Sequence, residues 1–318
     1  MFAILVIPVL YITFCNLPNR SSVSNNISFD TRLSYYQLFD GKMAELRPSS
    51  RVALFELSST LFTDYAEKQR LIKLPKGRKI KLSGNSLPVF PEGSLIAKTF
   101  YYTMKNKKKK IIETRLLLLN KGNWNIAVYK WNLEQTEAFL ITNGGVVQIE
   151  SLKEGGESIR INYRIPTSKE CVSCHQSQNA VLPIGPKTRN LNLQVMRAGA
   201  WVNQLQYLMN TGMVYTRTLK NVKRLPAYTD QGVRIEDRAR GYLEINCAHC
   251  HRPGGDAGRT TLNVDYDTHM DKTAIKLNRN NILMRMSEMG DYHMPKLGTT
   301  VIDTAGLLLI RGFLKNLR

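Results

Sequence analysis

Two five-residue words decide most of what this chain can be. "CVSCH" runs from Cys171 to His175, and "CAHCH" runs from Cys247 to His251. Each is a pair of cysteines three apart with a histidine directly after the second. The 318 residues hold five cysteines and five histidines. One such word therefore arises by accident on the order of once per thousand chains of this make-up, and two far more rarely. On a helical turn, positions i and i+3 project to one side and i+4 lies beside them. Two thiols so placed can each add to one vinyl group of a haem, and the imidazole that follows reaches the iron as an axial ligand. Cys-x-x-Cys-His reads as c-type haem attachment for that reason. The sequence thus predicts two covalently bound haem c groups. Cys171 and Cys174 would hold the first, with His175 on its iron. Cys247 and Cys250 would hold the second, with His251 on its iron.

Other readings of the same cysteines compete. A structural zinc on Cys171, Cys174, Cys247 and Cys250 would use paired knuckles. It gives no reason for a histidine after each pair, and the pairs lie far apart in the chain. A thioredoxin-like dithiol wants one motif inside a βαβ pattern, and this chain has two motifs and no such pattern. Disulfides suit an exported chain, but haem attachment better explains why the cysteines, Cys15 aside, occur only in these pairs.

Export is read from the first residues. "MFAILVIPVLYITF" is a nearly uncharged run, too short to span a bilayer comfortably and similar to the apolar region of an export signal. It lacks a positive leading segment and a small-x-small cleavage site. Ile12-Thr13-Phe14-Cys15 loosely matches a bacterial lipoprotein box, in which Cys15 would carry lipid, although Phe14 stands where a small residue is usual. The polar "NLPNRSSVSNN" that follows would serve as a tether. The expected location is the periplasm or the outer membrane, with membrane attachment through a lipidated Cys15 as one form of it.

Five stretches follow: 1–15 an export signal of ordinary or lipoprotein type, 16–29 a tether, 30–165 a β-rich domain, 166–225 the first haem-binding segment, and 226–318 the second haem domain. The fold class expected is α+β and multidomain, with a mostly helical haem-binding region after the β-rich part. "FPEGSLIAKTFYYTM" and "IIETRLLLLN" read as strands around a solvated lysine-rich tip, "KNKKKK". "WNIAVYKWN" alternates, placing Trp124, Ile126, Val128 and Lys130 on one face and Asn125, Ala127, Tyr129 and Trp131 on the other. "FLITNGGVVQIES" predicts another hairpin turning at Asn143-Gly144-Gly145. Apolar residues at helical spacing predict a helix over Leu191 to Val214. Further helices are expected from Ile235 into the second motif and from about Asp303, a plausible N-cap, to Asn316.

The second haem needs another axial ligand. "DYHMPKLGT" offers Met294, in a Met-Pro loop closed by a glycine, where a thioether can face the iron. Core filling is the alternative role for Met294, and His293 is its chief rival as ligand. The first haem has no comparable loop. Met196, Met209 and Met213 fall in the expected amphipathic helix, His269 has no telling spacing, and the distal ligand of the first haem stays unknown. Glu170 is the nearest carboxylate to that motif and reads equally well as a surface group.

From about Leu33 onward the chain resembles a family of bacterial dihaem c-type cytochromes with a β-rich N-terminal region. The likeness rests on "STLFTDYAEKQRLIKLP", "FPEGSLIAKTFYY", "ETRLLL", "YKWNLEQTEA", "CVSCH", "NCAHCHRPGG" and "MPKLGT". Ile235 to Arg318 resembles the cytochrome c fold. The resemblance implies electron transfer outside the cytoplasm and leaves the redox partners unassigned.

The formal net charge of +20 points to an acidic partner or surface without choosing one, and a merely solvated basic surface explains it as well. With the leader and the paired motifs, the expectation is an electron carrier meeting an acidic redox protein rather than nucleic acid. A dihaem peroxidase-like enzyme with an open first haem is the alternative. A zinc-stabilised binding protein is a more remote one. The β-rich region is expected to pack beside or over the first haem.

Overall fold

The computed structural model describes residues 27–152, 158–178 and 180–317. The export-signal stretch, Cys15 and most of the tether lie outside the described residues. The chain is α+β, 23% helical and 27% strand, with the main sheet in the N-terminal half. That sheet is antiparallel in the order β1 (Ala53–Leu54), β2 (Glu67–Lys73), β4 (Leu95–Thr103), β5 (Lys109–Asn120), β6 (Asn123–Trp131) and β7 (Ala138–Ile141). β3 (Ile80–Lys81) stands apart and pairs in parallel with β14 (Val214–Tyr215) far along the chain.

Both faces of the sheet are buried, which is why β5 reads as the nearly continuous apolar run "LLLL" rather than as an alternation. Leu71, Leu95, Leu116, Ala127 and Tyr129 take one face. They pack with Leu33, Leu38 and Leu46 from the turns that precede the sheet. Ile72, Ile96, Leu117 and Trp124 take the other, against Leu191, Leu205, Leu208 and Val214. The segment after residue 165 therefore shares a core with the sheet. The lysine-rich tip between β4 and β5 is exposed, as expected.

Two elements differ from the sequence reading. The hairpin expected at Asn143-Gly144-Gly145 does not form. β7 pairs with β6, whereas β8 (Gly145–Leu152) pairs with β9 (Ser158–Ile165) as a separate ribbon. Gly144 turns the chain out of the sheet at φ +67°, and a side chain there would meet the Ile165 carbonyl at 2.6 Å. The helix expected over Leu191 to Val214 is also broken up. α2 (Thr188–Leu191) is followed by a hairpin of β12 (Gln194–Arg197) and β13 (Ala200–Asn203), then by α3 (Gln204–Asn210). Ala198 and Gly199 sit at φ 47° and 81°, the pair of positive values that a two-residue hairpin turn demands. Val195 lies opposite Val202, so two residues read as one helical stripe are cross-strand neighbours. Asn203 caps α3 by accepting from the Gln206 amide, and Gly212 at φ 76° follows its end.

The last third is helical. α4 (Ile235–Asn246) stops one residue short of Cys247, with Glu236 and Asp237 favourably placed in its first turn. α5 (Met270–Thr273) and α6 (Arg279–Ser287) lead to the Met294 loop. α7 (Thr304–Asn316) begins on Asp303, whose carboxylate accepts from the Gly306 amide at 2.8 Å, as the sequence predicts. α4 and α7 share a core of Ala239, Tyr242, Leu243, Ile310 and Phe313. Among the described residues no helix is long and apolar enough to cross a membrane.

Candidate functional site

The first motif sits on α1 (Ser168–His175), a short helix made possible by its start. Thr167 and Glu170 form a reciprocal capping box, and Pro166 precedes it. Glu170 also bonds Arg164 at 2.5 Å, so its visible task is to start the helix. Cys171 is buried, and Cys174 and His175 follow at i+3 and i+4. Directly after α1, β10 (Gln176–Ser177) and β11 (Ala180–Val181) fold back as a tight hairpin. It returns the Leu182 amide to the His175 carbonyl and the Leu182 carbonyl to His175 Nδ1, both at 2.8 Å. With Nδ1–H donating, Nε2 is left as the lone-pair nitrogen, the arrangement seen when a backbone carbonyl orients a metal-binding imidazole. Burial pushes the His175 pKa down to about 3, which keeps that lone pair free at neutral pH.

The second motif is a turn at the end of α4. The amides of Cys250 and His251 both donate to the Cys247 carbonyl, at 3.1 and 2.9 Å. The turn closes tightly on Gly255, where a Cβ would lie 2.4 Å from the Cys250 carbonyl. His251 Nδ1 lies 3.4 Å from Thr260 Oγ1, and burial lowers this imidazole's pKa too. Burial raises Cys247 to about 12 and Cys171 to about 11, so these thiols are not standing nucleophiles.

The structure brings the two motifs together. Sulfur or nitrogen atoms of Cys174, His249 and Cys250 lie within 4.8 Å of one another. A hydrogen bond from Cys174 to Cys250 raises the first thiol's pKa and lowers the second's. Cys171 and Cys247 are outside this cluster, so the four cysteines do not form a single zinc knuckle. His249 is the histidine inside the second word. Its Nδ1 is buried without a hydrogen-bond partner among the described residues. Such an atom costs free energy unless a group absent from the chain engages it.

Cys171, Cys174, His175 and His249 open into one cleft of about 1,120 Å³, counting its mouth. Its walls are mostly apolar and come from everywhere: Leu57 and Phe62 before the sheet, Ile96 and Leu117 in it, Pro183, and Leu297 of the Met-Pro loop. Three cations, Arg70, Lys98 and Arg115, also line it. The donors fit a covalently attached haem: two thiols and an oriented imidazole on one helix face, a mostly apolar cleft beside them, and an unpartnered nitrogen in its lining.

The other candidates divide clearly. His293 has both ring nitrogens engaged, Nδ1 with the Glu288 carbonyl at 2.8 Å and Nε2 with Thr299 Oγ1 at 3.1 Å. Both of its ring nitrogens are thus occupied within the loop. The Met294 amide donates to the Arg285 carbonyl at 2.9 Å, and Arg285 lies close enough to His251 to lower its pKa. Met209 and Met213 pack on the core under the sheet, Met196 is exposed, and His269 pairs with Asp271 at the surface. None of these four lines the first cleft. Sequence reasoning missed His249 and the three cations. The signal for His249 was the extra histidine in "CAHCH". For Lys98 it was a lone charge inside the otherwise uncharged strand β4.

No family model matches the chain, and no curated protein or solved structure matches it.

Proposed function

We propose that this chain is an exported dihaem c-type cytochrome that carries electrons between partner proteins. The observation that carries the proposal is the first motif's geometry: Cys171, Cys174 and His175 share one face of α1, and the His175–Leu182 bond presents Nε2 to an apolar cleft. When bound, each haem supplies an iron that cycles between Fe(III) and Fe(II), one electron at a time. The chain's residues do the rest. Cys171 and Cys174 would anchor the first haem, Cys247 and Cys250 the second, and His175 and His251 would supply a nitrogen to each iron. Met294 would offer the second haem a sulfur, which favours Fe(II). His249 would be the further nitrogen available to the first haem. The contact of Cys174 with Cys250 brings the two attachment motifs together, which suits a relay.

The C-terminal part supports a cytochrome c-like fold: a helix entering the motif, a Met-Pro loop, and a final helix packed on the first. Export to the periplasm or the outer membrane, with Cys15 as the point of lipid attachment, rests on the leader residues. The surplus of positive charge would draw in an acidic redox protein.

A second reading has its own observation. Cys174, His249 and Cys250 offer three ligands for a transition-metal ion such as zinc, with a fourth position open. It leaves Cys171, Cys247 and both motif histidines without a task. Reductive titration separates the readings. Two one-electron steps, with no spectral change on adding carbon monoxide or peroxide, fit the electron carrier. A first haem that binds carbon monoxide and reacts with peroxide makes the chain an enzyme. Absence of haem, with one zinc per chain, establishes the metal cluster.

A further inference from the structure

The face of the sheet that looks into the cleft carries a row of three cations. Arg70 on β2 is the register partner of Lys98 on β4, and Lys98 is the register partner of Arg115 on β5. One step along the strands in one direction, the same face carries Ile72, Ile96 and Leu117. One step in the other direction it carries Lys68, Phe100 and Glu113, and Val128 lies beside Arg115. The cationic row thus has an apolar row on one side and the mixed row of Lys68, Phe100 and Glu113 on the other. Like charges directly opposite across strands are destabilising, and burying them adds a desolvation cost.

Among the described residues only one of the three has a direct ion pair, while Glu56 acts on Arg70 and Glu113 on Lys98 from farther off. Arg115 makes a two-pronged bond to Glu113, at 2.6 and 3.0 Å, and Tyr163 donates to the same carboxylate at 2.6 Å. Arg70 is 8% exposed, and no side-chain hydrogen bond or ion pair reaches its guanidinium among the described residues. Lys98 has only the face of Phe100, 4.7 Å from its nitrogen. Burial and the two neighbouring arginines push the Lys98 ammonium well below its ordinary pKa. Arg70 and Lys98 thus line the cleft without a direct ion pair, and a carboxylate entering it would relieve the burial of both.

We propose that Arg70 and Lys98, backed by Arg115, bind the propionate carboxylates of the first haem. The inference rests on the haem reading of Cys171, Cys174 and His175. The argument for this occupant is continuity: those three residues and the three cations line one cleft. A haem is an apolar disc with two carboxylates on one edge, and the cleft has a mostly apolar lining with three cations from neighbouring strands. The sheet then has a task in the site. It neutralises the cofactor's charge and sets the first haem's potential, because a nearby cation favours Fe(II) over Fe(III).

The test uses the dihaem protein as purified. Lys98→Met and Arg70→Gln each remove one unit charge, and Lys98→Arg keeps it. Potentials are measured for both haems, with the two steps assigned by Met294→Ala. The expected result is a fall of about tenfold in the first haem's reduction equilibrium for each charge-removing variant, which is about 59 mV for one electron. The second haem should stay put, and Lys98→Arg should restore the native value. The pH at which the first potential bends should also rise, since a propionate without its cation protonates more easily. Unchanged first-haem potentials in both variants, with two haems still attached, overturn the proposal. Saturable shifts of the native spectrum on adding inorganic phosphate or acetate also overturn it, by showing that the row takes an external anion. Absence of covalent haem on Cys171 and Cys174 would instead sink the haem reading itself, and this inference with it.

Discussion

Gly306→Ala tests the crossing of α4 and α7 on which the C-terminal helical region is built. A Cβ at Gly306 would lie 2.4 Å from the Tyr242 hydroxyl oxygen and 2.5 Å from two ring carbons. Carbon atoms in contact need ~3.5–4.0 Å, so either α4 and α7 move apart by about 1 Å or the ring leaves. The ring is not free to leave. It is 2% exposed, stacks edge-on against Tyr228 at 5.4 Å, and donates to Asp303, the cap of α7, at 3.0 Å. Overpacking at such a contact costs ~1–3 kcal/mol, and losing the Asp303 bond costs ~1 kcal/mol more. Alanine returns up to about 1 kcal/mol of helix propensity. The net expectation is a loss of ~1–3 kcal/mol, against the propensity scale. Urea unfolding of the haem-loaded protein, followed by far-ultraviolet circular dichroism, measures it. Leu308→Ala, at a position 64% exposed on the same helix, is the control and should move stability by less than about 0.5 kcal/mol. An unchanged or raised midpoint for Gly306→Ala would refute the close crossing.

Further outcomes follow from the site. Met294→Ala should lower the potential of one haem and spare the other, and two unchanged potentials would remove Met294 as a ligand. His249→Ala should let the first haem bind carbon monoxide where the native protein does not; a variant as closed as the native one would show that another group fills that position. Burial pushes Lys68 down to about 7, with Asp64, Arg70, Arg115 and Asp303 as its charged surroundings. Between about pH 7 and 10.5 the unfolded chain then binds the extra proton. Stability should rise with pH across that window by up to about 1.4 kcal/mol per unit, and Lys68→Met should flatten the rise. An identical slope in native and variant would contradict it.

What was legible in the sequence was local. The two motifs, the Asp303 cap, the helix entering Cys247 and the strands around the lysine-rich tip each rest on neighbours within a few residues. The sequence signals failed where pairing decided the outcome. Val195 and Val202 satisfy a helical period and a hairpin register equally well, and Ala198-Gly199 settled the matter through backbone angles that an alanine rarely adopts. The cationic row was invisible for the same reason. Arg70, Lys98 and Arg115 sit on three strands, and only register sets them side by side. His249 was hidden by its motif, which drew notice to the histidine two positions later. Its role rests on the approach of Cys174, a contact between residues 75 apart.

The first motif packs against the sheet. The link is more than contact. Asn190 exchanges hydrogen bonds with the Ser59 backbone at 2.8 and 3.1 Å, and Asn246, next to Cys247, accepts from the Phe62 amide at 2.8 Å. One strap, residues 55–65, is thereby bonded to the segments that carry the two cysteine motifs and also lines the cleft.

The most direct measurement is the number of covalently bound haems per chain. The protein would be made in cells equipped for c-type haem maturation, extracted with acidified solvent, and assayed for the haem that stays with the polypeptide. The account expects two per chain, falling to one when Cys171 and Cys174 are both replaced by alanine, and to one when Cys247 and Cys250 are. A chain that retains no haem, with or without zinc in its place, would contradict it.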